Sequence, residues 1–292
     1  MVIEYIIGLW LFIIGASLGS YAAASAWRLR SNYLRKEKDL DKDEKSELKV
    51  LESLTKGKNI LKDRSVCLGC EKILNWYELI PIVSFLVQRG KCRKCKKDIG
   101  IIDFSAEVFG GLGLMLIFFL WPYGFESVEY VLAFGSLVVC FTLFLVLYTY
   151  DLRWKILPNK IVFPLIGISV FYALCFLIKD FSWMRLINLA GSVGVLAGIY
   201  FLLYLMSKGK WVGFGDVKLG IALGFLVADW QNAILALFFA NMTGLIVITP
   251  LLLTNNVKRK SKIPFGPFLF FGSLIALLVG SLIWKFLLMN MY

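Results

Sequence analysis

The chain alternates long apolar runs with shorter polar connections that are mostly basic. Runs of roughly 20 apolar residues suit helices that cross a bilayer, because a helix satisfies its own backbone polar groups where no water can. The first run lies at about 5–27 and is rich in small residues, among them Gly8, Gly15, Ala16, Gly19 and Ser20. Small residues of this kind let helices pack closely in a membrane. Seven further runs follow, at about 106–121, 128–150, 161–178, 184–206, 217–228, 232–254 and 268–288. The run at 217–228 is short for a span; it is expected to enter as a broken helix or to begin within the Gly213–Gly215 turn. The pattern predicts an all-α polytopic membrane protein with about eight transmembrane helices. No internal repeat and no low-complexity tract stands out.

A polar region at 28–103 separates the first two runs. Residues 30–64 mix charges densely, with leucines at Leu40, Leu48, Leu51 and Leu54, and predict a solvated, mostly helical insertion. Residues 65–100 carry four of the six cysteines. The expected organisation is a first span at 1–29, a cytosolic region at 30–104 and a transmembrane domain at 105–292. Cys140 and Cys175 lie within apolar runs and read as small core residues.

Composition supports the membrane reading: 59% of the 292 residues are hydrophobic and the mean hydropathy is +0.75. A net charge of +12 would suggest nucleic acid in a soluble protein. Here Lys and Arg fall in alternate connections: 28–103, then Arg153, Lys155 and Lys160, then Lys208, Lys210 and Lys218, then Lys258, Arg259, Lys260 and Lys262. The intervening connections carry Glu126 and Glu129, Lys179 with Asp180, and Asp229. With eight spans the basic connections share one side, which the positive-inside rule places in the cytoplasm, leaving both termini outside. The expected partner is therefore the lipid bilayer of the plasma or inner membrane, not nucleic acid. Glu4 is the only charge before Arg28, so the first run is expected to be a retained span and not a cleaved signal.

There is no histidine, which excludes a His general base, a Ser-His-Asp triad and a His-ligated metal. Two aspartates then draw attention. Asp151, in "YTYDLRWKILPN", sits where the third run ends, and Asp216, in "WVGFGDVKLG", sits where the sixth begins. Two carboxyls brought together cannot both ionise easily; one holds a proton while the other stays charged. Such a pair activates water in an aspartyl protease. Gly213 and Gly215 precede Asp216 and would let the turn adopt positive φ and admit a substrate backbone. Pro158 fits the start of the next helix. Alone, Asp151 among Arg153 and Lys155 reads as a solvated charge, and G-x-G-D alone as a flexible turn. The pair is the specific feature. A transporter or ion channel with paired acids is the alternative from another class, and a non-catalytic scaffold is a third.

Cys67, Cys70, Cys92 and Cys95 form two C-x-x-C pairs. Four thiolates at this spacing can bind a structural zinc ion and fold a lobe with little core of its own. Two disulfides are disfavoured in a cytosolic segment, and a redox C-x-x-C lacks a thioredoxin-like βαβ pattern.

Taken in order, these motifs resemble the type IV prepilin leader peptidases, bifunctional membrane enzymes of the aspartic class. "GASLGSYAAASAWRL" is similar to the family's first span, and "CLGCEKILNWYELIPIVSFLVQRGKCRKCKKDI" to its cytosolic segment. "YDLRWKILPNKIVFPL" and "GFGDVKLGIALG" are similar to its two catalytic motifs, and "IPFGPFLFFGS" to the start of its last span. The resemblance implies that Asp151 and Asp216 carry proteolysis. It implies a prepilin or pseudopilin substrate, with a basic leader ending in glycine ahead of a hydrophobic helix, cut at the cytoplasmic membrane face. It also implies a second activity, methylation of the new N-terminus from S-adenosylmethionine, associated with the cysteine lobe. This chain departs from the family pattern at Tyr21–Ala23, at Ile102–Phe104, after Leu29, and in the length of 30–64. Acids such as Glu78, Asp103 and Glu107 are candidates to hold a basic leader, their ordinary reading being interfacial solvation.

Overall fold

The computed structural model describes residues 2–54, 65–254 and 263–289. Among them the chain is helical, with no strand and only two isolated β-bridges. It divides into two compact units, Met1–Leu116 and Ile117–Tyr292. The division falls inside a helix.

In the N-terminal unit, helix α1 (Val2–Leu34) continues beyond the apolar run because its last turns are buried: Arg30, Ser31 and Leu34 are each below 5% exposed. What covers them is the charged insertion. Helix α2 (Lys42–Leu54) packs on α1. It starts at a reciprocal cap, in which Asp41 Oδ1 accepts from the Glu44 N–H at 2.7 Å and Glu44 Oε2 accepts from the Asp41 N–H at 3.4 Å. Arg30 pairs with Glu44 at 3.2 Å and Glu47 at 3.0 Å, and Leu51 is buried. The rest of the insertion, 55–64, lies outside the described residues. A short helix α3 (Val83–Val87) lies between the two cysteine pairs, and helix α4 (Ile101–Phe119) completes the unit. The small residues of α1 do what their size predicts: a Cβ at Gly15 or Gly19 would run into the α4 backbone at Gly110 or Ala106.

The C-terminal unit holds α5 (Val128–Trp154), α6 (Asn159–Lys179), α7 (Trp183–Val193), α8 (Ile199–Ser207), α9 (Phe214–Val227), α10 (Trp230–Leu253) and α11 (Gly266–Met289). α7 and α8 are one apolar rod interrupted by a π-helical turn at Gly194–Gly198, which an unbroken apolar run gives no sign of. Among the described residues seven helices are long and apolar enough to cross a membrane, counting α7 and α8 together. The eighth expected span, at 217–228, is α9. It begins at Phe214 and has 14 residues, about 21 Å at 1.5 Å per residue, against a bilayer core of about 30 Å.

α9 can be short because it is not the membrane's neighbour. It packs against α6, α7, the π turn, α8, α10 and α11. Gly220 and Gly224, at G-x-x-x-G spacing, press against the backbone at Leu196 and Val193, where a Cβ has no room. Ser192 Oγ donates to the Gly224 carbonyl at 2.9 Å. A helix end enclosed by protein escapes the need to match bilayer thickness. Cys140 and Cys175 are buried, as their apolar settings predict. The Lys258–Lys262 cluster lies outside the described residues.

Candidate functional site

Asp151 occupies the last turn of α5 and is 5% exposed. The helix stops behind it where Lys155 turns left-handed and donates its N–H to the Asp151 carbonyl at 2.8 Å. Three residues on, Pro158 takes the N-cap position, φ −69° and ψ 125°, so it stands one place before α6 rather than within its first turn.

Asp216 is the third residue of α9, and its Oδ2 accepts from the Gly213 N–H at 3.3 Å. This is the carboxylate half of a capping box, and it explains why an acid tolerates a helix start. The glycines act differently from expectation. Neither Gly213 nor Gly215 has a positive φ; Gly213 is extended at φ −77°, as an N-cap must be. Positive φ in this connection falls instead on Lys208 and Gly209. Gly215 supplies space, since a Cβ there would stand 3.1 Å from Leu157 Cβ. At Gly213 a Cβ would make only an ordinary 3.6 Å contact with Asp216 Oδ2.

The two aspartate-bearing segments interlock. Gly215 abuts Leu157, and Lys218 Nζ donates to Asn159 Oδ1 at 2.9 Å while lying 5.2 Å and 5.1 Å from the Phe163 and Phe214 ring centres. The carboxyls of Asp151 and Asp216 are close enough to interact electrostatically. Their surroundings differ: Asp216 holds a glycine amide, whereas Asp151 Oδ2 is buried with no hydrogen-bond partner among the described residues. Unequal surroundings are what let one member of a carboxyl pair serve as base and the other as acid. Buried Tyr200 lies within the field of the Asp216 carboxylate, and its ring lies 5.6 Å from that of Phe265. Asn159 and Lys218 belong to the two quoted motifs but carry no chemistry that singles them out in the sequence. Tyr200 has no sequence signal at all.

In the N-terminal unit the four predicted cysteines come together, with all sulfurs within 4.8 Å of one another. Cys67 and Cys95 sulfurs are 3.7 Å apart, and those of Cys70 and Cys92 are 4.0 Å apart. Tetrahedral Zn–S bonds of 2.3 Å require sulfurs about 3.8 Å apart, so the donor set fits such an ion. All six cysteines are free thiols, so the disulfide alternative is not realised. The two turns repeat one geometry. Cys67 and Cys92 each donate N–H to a carbonyl five residues on, Lys72 and Lys97, at 2.9 Å. Glu71 and Lys96, just after the second cysteine of each pair, are both left-handed. The Cys92 thiol is drawn down to about 6, chiefly by the Cys95 amide and further by that of Lys94, against the opposing effect of burial. A thiolate is the form that binds metal.

A cavity of about 270 Å³ adjoins these turns, with Trp27, Phe85, Phe104, Asp98, Asp103 and Glu107 among its lining residues. Two of the candidate acids for holding a basic leader are engaged within this unit. Glu78 is buried, pairs with Lys72 at 2.9 Å and accepts from the Asn75 amide at 2.9 Å. Those partners, the amide first, hold its carboxyl below the usual range. Glu107 Oε2 accepts from the Ile82 N–H at 2.7 Å. Ile82 has φ 64°, a strained conformation for a β-branched residue, and the Glu107 bond helps to hold it.

Comparison with known proteins decides between the alternatives. Residues 13–121 match the bacterial peptidase A24 N-terminal domain, and residues 137–249 match the type IV leader peptidase family. A prepilin leader peptidase/N-methyltransferase of Bacillus subtilis (strain 168) is 32% identical over 78% of this chain and 86% of its own length. The chain belongs to the type IV leader peptidase family. Proteins of the same name from Stutzerimonas stutzeri and Legionella pneumophila are each 28% identical over 76% of the chain, covering 74% and 75% of their own lengths. No solved structure matches the chain. Membership makes this chain a membrane-embedded peptidase and removes the ground for the transporter alternative. The cysteine turns lie in the N-terminal match, and both aspartates lie in the second.

Proposed function

We propose that this chain is an aspartyl endopeptidase that removes the basic leader of a prepilin or pseudopilin at the cytoplasmic membrane face, with Asp151 and Asp216 as the catalytic pair. The observation that carries the reading is the interlock of the two segments through Leu157 and Gly215 and through Asn159 and Lys218, with the Asp151 carboxyl within electrostatic range of Asp216. In the reaction one carboxylate takes a proton from water as the water oxygen adds to the scissile carbonyl carbon. The other, protonated, gives its proton to the carbonyl oxygen. Collapse of the tetrahedral intermediate breaks the C–N bond, the departing amine takes a proton from the first carboxyl, and the second carboxylate recovers its proton from a hydroxyl of the intermediate.

Cys67, Cys70, Cys92 and Cys95 would hold a structural Zn²⁺, and a fully thiolate-ligated ion leaves no open position for chemistry. The cavity beside them suits a cationic, aromatic methyl donor such as S-adenosylmethionine, since rings and carboxylates both line it. That donor would supply a methyl group to the newly exposed amine.

Co-expression with prepilin-type proteins, followed by mass spectrometry of the mature N-terminus, tests both activities. A cut after the leader glycine and a 14-dalton increment at the new N-terminal residue are expected. An uncut leader refutes the peptidase assignment, and a cut but unmodified terminus refutes the methylation alone.

A further inference from the structure

The start of α11 faces Asp151. Gly266 is its first residue, 115 positions from Asp151 along the chain (266 − 151) and beyond the residues matched to the peptidase family. A Cβ at Gly266 would stand 2.9 Å from Asp151 Oδ2, and at ordinary distances of 3.5 Å and 3.6 Å from Leu219 and Leu157 methyls. The carboxylate is therefore the one serious obstacle to a side chain here. The backbone adds a second argument. Pro267 has no N–H to offer, and the Leu269 N–H is already donated to the Phe265 carbonyl at 3.1 Å. The Gly266 amide is the one directed at the Asp151 carboxyl. Asp151 Oδ2 is nevertheless buried and has no partner meeting hydrogen-bond geometry among the described residues. A buried carboxylate oxygen left in that state is costly unless something else completes it.

We infer that Gly266 is a positioning residue: its missing side chain leaves room for Asp151 Oδ2 against the start of α11, and its amide holds the carboxyl in that place. The inference rests on the aspartyl reading above. A helix start this close also places backbone dipoles on a group whose charge changes during the reaction. Glycine is needed because any larger residue must rotate the carboxyl away, and misplacement of a catalytic group by about 1 Å can slow chemistry about 10²-fold.

The test is Gly266→Ala in the full-length protein in lipid, read by cleavage kinetics and by thermal stability, each with Asp151 and in an Asp151→Ala background. Expected are a fall in kcat of about 10²-fold with KM changed less than threefold, and a lowered Tm when Asp151 is present that disappears in the Asp151→Ala background. If the alanine variant fails to fold with Asp151 but folds without it, the inference is equally supported. Wild-type kcat in Gly266→Ala, or an equal loss of stability in both backgrounds, overturns it. The aspartyl reading is tested apart from this by Asp151→Asn: full activity there ends that reading, whereas an inactive Asp151→Asn beside a fully active Gly266→Ala ends only the role of Gly266.

Discussion

The two units solve the problem of placing polar groups by different means. The N-terminal unit ties them to one another: four sulfurs converge, Lys72 meets Glu78, Arg30 meets Glu44 and Glu47, and Glu107 restrains Ile82. Its lobe between α2 and α4 has few buried apolar side chains, Cys92 being the only one between 65 and 100, so cross-links substitute for a core. The C-terminal unit has a dense core around α5, α9 and α11, and it places two acids by withholding side chains nearby. Gly215 admits Leu157, Gly220 and Gly224 admit the rod of α7 and α8, and Gly266 admits the Asp151 carboxyl. Staples tolerate an irregular backbone, whereas close packing fixes positions tightly enough for catalysis.

The contrast breaks most readily at the cysteines. Cys92→Ser, or extraction of the metal by a chelator, should unfold the 65–100 lobe, because structural zinc contributes on the order of 10 kcal/mol to small domains. Metal content and limited proteolysis report the loss. Methylation should vanish while leader cleavage falls far less; equal loss of both would show that the units do not differ as argued. Next in size, Asp151→Asn and Asp216→Asn should each lower cleavage by about 10²- to 10⁴-fold without lowering membrane insertion. A smaller effect follows from Arg30→Met, which removes charge-assisted bonds to Glu44 and Glu47. It should release α2 by about 2 kcal/mol, read as faster hydrogen exchange over 42–51 with cleavage unchanged. The smallest contrast lies within the glycine turn. Gly215→Ala should cost about 1–2 kcal/mol as Leu157 is displaced. Gly213→Ala should cost less than about 1 kcal/mol, since its Cβ meets only ordinary contacts. Reversal of that order in thermal unfolding would mean that the turn's conformation, and not its space, is what requires glycine.

Much of this was legible in the chain itself. Apolar runs mark the spans because lipid leaves the backbone no alternative to helix. The cysteine pairs declare themselves because ligand spacing is local, and the two aspartates stand out as candidates because each sits at a span end within a recognisable motif. What stayed hidden depends on contacts distant in sequence. The length of α9 makes sense only once the surrounding helices shield it. The π turn interrupts a run whose hydropathy is continuous. Lys218 and Asn159, 59 residues apart, look like a loop cation and a helix-starting amide until they meet. Gly213 and Gly215 were expected to serve by conformation and serve by size and capping, because a turn that opens a helix needs negative φ at both.

The central claim is that Asp151 and Asp216 act together on one water, and single-turnover cleavage by the two Asn variants and their double variant in lipid tests it most directly. Groups that work as a unit are strongly non-additive, so the double variant should be no slower than the slower single. Losses that multiply, or a single variant that cleaves at the wild-type rate, would contradict the pair.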